Sequence, residues 1–152
     1  MRSIIALCAC SILLLSFTTL KPVTWLGDIN TATAEATKSK ELIIVNFSGS
    51  DWCGPCIRLR KEILESDIFT DYAAEHLLLV RADFPRQKKN QLDKEQVKRN
   101  EALADKYNPE GAFPLTLLVD KNGKVWKKWD GFPNESVEKF VDEVKEFADA
   151  GH

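Results

Sequence analysis

Cys53 and Cys56 stand two residues apart in the segment Trp52-Cys53-Gly54-Pro55-Cys56. A β-branched apolar run, 41–47, lies just upstream, followed by the turn cluster Ser48-Gly49-Ser50-Asp51. Downstream, Ile57, Leu59, Ile63 and Leu64 recur as one apolar side of a helix running from about Cys53 to Glu65. The pair therefore falls where a buried strand turns into a helix. The first turn of a helix has unpaired N–H groups and a partial positive charge. A sulfur held there is stabilised as thiolate, the form that attacks disulfides. Cys53 is expected to be exposed and reactive. Cys56, one turn later, is expected to lie deeper and to attack a mixed disulfide formed on Cys53. Gly54 lets a substrate chain approach closely, Pro55 suits a first helical turn that needs no N–H, and Trp52 offers a flat apolar shield. The competing use of two such thiols is half of a zinc site. No second ligand pair exists, and the two histidines, His76 and His152, are far apart, so no metal site is expected. Transient metal capture by the two thiols stays open.

The 152-residue chain is the size of one ordinary domain, with 44% hydrophobic and 29% charged residues and a net charge of −2. That balance gives no reason to expect nucleic acid as a partner, which calls for an excess of Lys and Arg on one face. The first twenty residues differ from the rest. After Met1-Arg2, the run 4–20 is uncharged and apolar or small, and Lys21-Pro22 ends it. This reads as an export signal over 1–20, with an uncleaved anchor as the rival. Ala32-Thr33-Ala34 resembles a cleavage site but falls inside an expected helix. Cys8 and Cys10 lie in the apolar run and are expected to leave with the signal. Cys53 and Cys56 then remain alone, too local a pair to staple a fold.

The elements that must position the pair follow from periodicity and turn residues. Asp28 is expected to cap a helix over 29–36. Strands are expected over 41–47, 77–83, 115–120 and 125–129, the last two joined through Asn122-Gly123 as a hairpin. Helical stretches are expected over 68–75 and 94–107. Asn134 is expected to cap a last helix carrying Val137, Phe140, Val141, Val144 and Phe147. Trp126 and Trp129, three apart, should face opposite sides of their strand. Strands separated by helices pair in parallel through right-handed crossovers, and the hairpin adds an antiparallel edge. The expected fold is α/β: a mixed central sheet of about four strands with helices on both faces, spanning residues 24–150.

Together these residues resemble the thioredoxin superfamily, and within it the exported bacterial thioredoxin-like proteins. The pentad 52–56 is the active-site sequence of thioredoxins. Phe113-Pro114, before the strand at 115, is similar to the family's cis-proline, and Gly131 to its glycine near the same surface. Phe47 to Cys53 and Asp83-Phe84-Pro85-Arg86 resemble the exported members. The resemblance implies a redox-active Cys53–Cys56 disulfide, exchange with disulfides of protein substrates, no bound cofactor, and a location in a bacterial periplasm. Gly54-Pro55, without a His between the cysteines, implies a reductase fed by a membrane thiol donor. An oxidase or isomerase, or a redox-independent binding module or chaperone, are the alternatives. The chain departs from the family where Asn46 stands in place of a buried acid, leaving Asp51 or Glu62 as substitutes, and where Leu115 follows the proline. The connection over 85–99 is longer than in a minimal thioredoxin. Its stretch 86–99 carries a net +4, six Lys or Arg against Asp93 and Glu95, and reads either as a solvated face or as a dock for an acidic partner.

Overall fold

The computed structural model describes residues 22–149. The expected export segment, with Cys8 and Cys10, lies outside them. Among the described residues no helix is long and apolar enough to cross a membrane.

The strands are β1 (Trp25–Leu26), β2 (Leu42–Ser48), β3 (Leu77–Asp83), β4 (Leu115–Val119) and β5 (Val125–Asp130), in sheet order β1-β3-β2-β4-β5. The helices are α1 (Ile29–Ser39), α2 (Gly54–Leu59), α3 (Asp67–His76), α4 (Lys94–Tyr107) and α5 (Val137–Asp149). β1 and β2 run parallel to β3, whereas β4 runs antiparallel to both β2 and β5. The sheet thus has five strands rather than about four. The extra one, β1, is two residues long, too short to show a period of two, and exists only through its pairing with Leu79 and Val80.

Every residue of β2 is buried, as a central strand with helices on both faces requires. Its alternation divides the core. Ile43, Val45 and Phe47 pack with Ala32 and Ala36 of α1 and Leu103 of α4. Leu42 and Ile44 pack with Leu59, Phe69, Phe140, Val141 and Val144 from the other face. Asp28 caps α1 through the Asn30 N–H, Ser66 caps α3 and Asp93 caps α4. The cap expected from Asn134 is made by Ser136 instead. Ser136 directly precedes the first helical residue, so its Oγ reaches the Lys139 N–H at 3.3 Å. The helix after the motif is continuous only by widening: residues Arg60–Leu64 form a π-helical turn in which the Glu65 N–H donates to Arg60 O at 2.8 Å.

The two tryptophans of β5 do not face opposite sides. Trp129 is buried against Phe140, ring centres 4.7 Å apart, and Trp126 packs on the same cluster beside Phe147. The pairing with β4 skips at this point, from Leu118↔Lys127 to Val119↔Val125, so Trp126 is the extra residue of a bulge and the alternation resets.

Candidate active site

The redox pair is placed by the end of β2. The Trp52 and Cys53 N–H groups both donate to Gly49 O, at 3.2 and 2.9 Å, folding the turn back under the start of α2. A side chain at Gly49 would collide with the Trp52 indole, so only glycine permits this closure. Ser50 donates its N–H and its hydroxyl to the two carboxylate oxygens of Asp83, and the Phe84 N–H donates to Ser48 O at 2.8 Å. The turn after β2 is thereby tied to the end of β3.

Cys53 is the N-cap of α2, in extended conformation, and its Sγ accepts the Cys56 N–H at 3.2 Å. Cys53 and Cys56 are joined in a disulfide, with Cα atoms 5.2 Å apart. The geometry differs from expectation in one respect. Cys53 is only 6% exposed, close to the 2% of Cys56. Its side chain turns back over the first helical turn to meet the Cys56 N–H and sulfur, and Gly54 and Pro55 form the exposed surface beside it.

Phe113-Pro114 is a cis peptide. The Gly131 N–H donates to Pro114 O at 2.9 Å, with Gly131 at φ 80°, so the proline and the glycine meet across the ends of β4 and β5. The Phe113 ring stands edge-on to Trp52 at 5.5 Å and to Phe84 at 5.4 Å, which brings the cis-proline segment beside the motif. Trp52 is held on three sides, by Phe113, by a 2.7 Å hydrogen bond from its Nε1 to Phe84 O, and by the Arg86 guanidinium 3.7 Å over its ring. An open groove of about 440 Å³ beside it is lined by Trp52, Phe84, Arg86, Leu92, Val97 and Phe113 among others.

Sequence reasoning missed two parts of this site. Asp51 accepts the Arg86 and Gln87 N–H groups and the Asn90 amide, each at 2.9 Å. The Arg86 N–H above all, then Asn90 and Gln87, holds the Asp51 carboxyl below the usual aspartate value against a desolvation cost. No local signal joins Asp51 to residues so far along the chain. The second part is the stacking of Arg86 on Trp52, which charge patterning had left inside a basic stretch. His76 stacks on Tyr72, ring centres 4.7 Å apart, at the end of α3. Among the described residues no group of three or more His, Cys, Asp or Glu could hold a metal ion.

Residues 29–147 match the thioredoxin-like domain family. The chain belongs to that family. It is 37% identical over 103 residues to the disulfide bond reductase DsbH of Chlamydia pneumoniae, covering 68% of this chain and 60% of that protein. It is 26% identical over 122 residues to the thioredoxin-related protein DsbJ of the same organism, covering 80% of this chain and 34% of that protein. The match thus spans less than two thirds of either relative. Among solved structures, a DsbH oxidoreductase superposes with a TM-score of 0.74 at 30% identity, covering 82% of this chain and 83% of that one. A thioredoxin from Thermus thermophilus shares the fold, with a TM-score of 0.63 at 15% identity over 86% and 90% of the two chains.

Against the thioredoxin-like pattern, the place of the buried acid holds a neutral pair. Asn46 Nδ2 donates to Thr116 Oγ1 at 3.0 Å, with both residues buried. The two carboxylates considered as substitutes are engaged elsewhere, Asp51 by the loop after β3 and Glu62 by Arg58 at 2.8 Å on the surface.

Proposed function

We propose that this thioredoxin-like chain is a thiol–disulfide oxidoreductase that reduces disulfides in exported proteins. The observation that carries it is the bonded sulfur pair at the mouth of α2, Cys53 as N-cap and Cys56 one turn in, beside a cis-proline. In the reduced form the Cys53 thiolate attacks one sulfur of a substrate disulfide, and the other substrate sulfur leaves as thiolate. Cys56, deprotonated, then attacks Cys53 Sγ and expels the second substrate thiol. The substrate gains two electrons and two protons, and the chain is left with the Cys53–Cys56 disulfide. A membrane thiol donor restores the dithiol.

The N–H of Cys56 supports the direction of attack, since it already points at Cys53 Sγ and favours negative charge there. Trp52, Gly54, Pro55, Phe113, Pro114 and Gly131 form the surface that receives the substrate chain. Gly54-Pro55 between the cysteines, and the name of the DsbH relative, support the reducing direction. Residues 1–20 support export to a periplasm, with residues 24–150 as the working domain, free or held by the N-terminal segment.

Equilibration with glutathione tests the direction: a potential near about −270 mV fits a reductase, and one near about −120 mV fits an oxidant and refutes it. Cys56→Ser should strand substrates as mixed disulfides on Cys53, identified by mass spectrometry. Full function of a Cys53→Ser, Cys56→Ser double variant in cells would favour a binding module instead.

A further inference from the structure

The loop after β3 is basic, and the structure ties it to the redox site. Asp51, the residue before Trp52, takes the Arg86 and Gln87 N–H groups and the Asn90 amide, and the Gln87 side chain donates back to Asp51 O at 3.2 Å. Arg86 lies over Trp52 and lines the groove next to it. Lys88 and Lys89, both exposed, form the turn between Arg86 and Gln91, another residue of the groove lining. Among the described residues none of Arg86, Lys88 and Lys89 makes an ion pair. The nearby carboxylates are already satisfied within the fold: Asp51 by the loop itself, Asp83 by Ser50, and Asp93 by the Gln96 N–H at the start of α4. Among the described residues these three cations thus stand outside any ion pair, Arg86 stacked on Trp52 and Lys88 and Lys89 exposed, on a loop whose backbone is fixed to Asp51, two residues before Cys53.

We propose that this loop selects substrates, favouring disulfides flanked by Asp or Glu, with the acidic segment lying across Arg86, Lys88 and Lys89 while Cys53 attacks. The selection rests on the oxidoreductase reading and adds a substrate class to it. Its physical basis is charge complementarity next to Trp52, the residue before the reacting cysteine. Loop cations raise the encounter rate of an acidic segment and hold it during the exchange, and the effect fades with salt. The Asp51 clamp matters because a free loop would carry its charge away from the sulfur for much of the time.

The test uses the full chain, reduced with dithiothreitol and desalted. Its single-turnover reduction is followed on three disulfide-cyclised peptides identical except for flanking Asp, Asn or Lys pairs. At low salt the Asp peptide should be reduced about fivefold faster than the Lys peptide, as a few exposed ion pairs allow. The Asn peptide should fall between them. The ratio should shrink toward one at about 1 M NaCl, where the screening length is about 3 Å. Lys88→Glu with Lys89→Glu should erase or invert the order. Lys38→Glu with Lys145→Glu, the same charge change on α1 and α5, should preserve it, and circular dichroism confirms that both variants fold. Equal rates for the three peptides, or an order unchanged by the Lys88, Lys89 variant, would overturn the selection alone. Failure to reduce any peptide or the neutral hydroxyethyl disulfide would overturn the oxidoreductase reading with it.

Discussion

Asn46→Asp is a sensitive probe of the neutral pair that joins β2 to β4. Asn46 is 3% exposed and Thr116 1%, and a 3.0 Å bond from Asn46 Nδ2 to Thr116 Oγ1 links their side chains. The protonated acid has nearly the same shape and can still bond the hydroxyl, so at low pH the loss should be about 1 kcal/mol, the worth of one hydrogen bond. Ionisation is different, because a carboxylate at a residue only 3% exposed loses most of its hydration. Desolvation of that degree raises an aspartate by about 3 units from its ordinary value near 3.9. Between those two values the folded variant binds a proton that the unfolded chain has released, so its stability falls as pH rises through the window and levels off above about pH 7. The extra loss is about 4 kcal/mol at neutral pH, a large part of the 5–15 kcal/mol typical of a domain. Urea unfolding of wild type and variant at pH 4 and 7.5 measures it. A difference between the two proteins that is the same at both pH values would refute the reasoning, because the position would then not be desolvated.

Gly49→Ala should destabilise the fold by about 1–3 kcal/mol, since the added methyl meets the Trp52 indole. Gly54→Ala, whose new methyl meets nothing within 4 Å, should stay within about 0.5 kcal/mol of wild type; thermal unfolding of the pair checks both. Phe140→Ala removes a ring packed on Trp129 and Phe69 and should cost about 3–5 kcal/mol, read from the urea midpoint. The Asp51 clamp should persist at neutral pH and fail in acid. Its folded value is depressed, so the contribution is complete above the ordinary value of 3.8 and disappears as pH falls through the lower folded one. The Arg86 and Gln87 amide shifts, followed by NMR, should titrate with a midpoint below 3.8, and a midpoint at or above it would contradict the clamp.

What could be read from the chain was what neighbours in sequence determine. The strand-to-helix junction at 48–53, the two thiols one turn apart, and the Phe113-Pro114 step each depend on residues within a few positions. So does the apolar stripe of α5, whose Phe140, Val141 and Val144 are fully packed. Resemblance then named the family, and the fold followed. The tertiary structure decided what depends on strand register and loop closure. Asp51 reaches Arg86 across 35 residues and Asn46 reaches Thr116 across 70, partnerships that no local spacing encodes. Two-residue β1 exists only because β3 offers an edge, and Trp126 joins the core beside Trp129 only because β5 bulges against β4. The low exposure of Cys53 is local, set by its turn back onto the Cys56 N–H and sulfur. A residue's type states what chemistry it can do, but which distant groups it meets is set by how the rest of the chain folds around it.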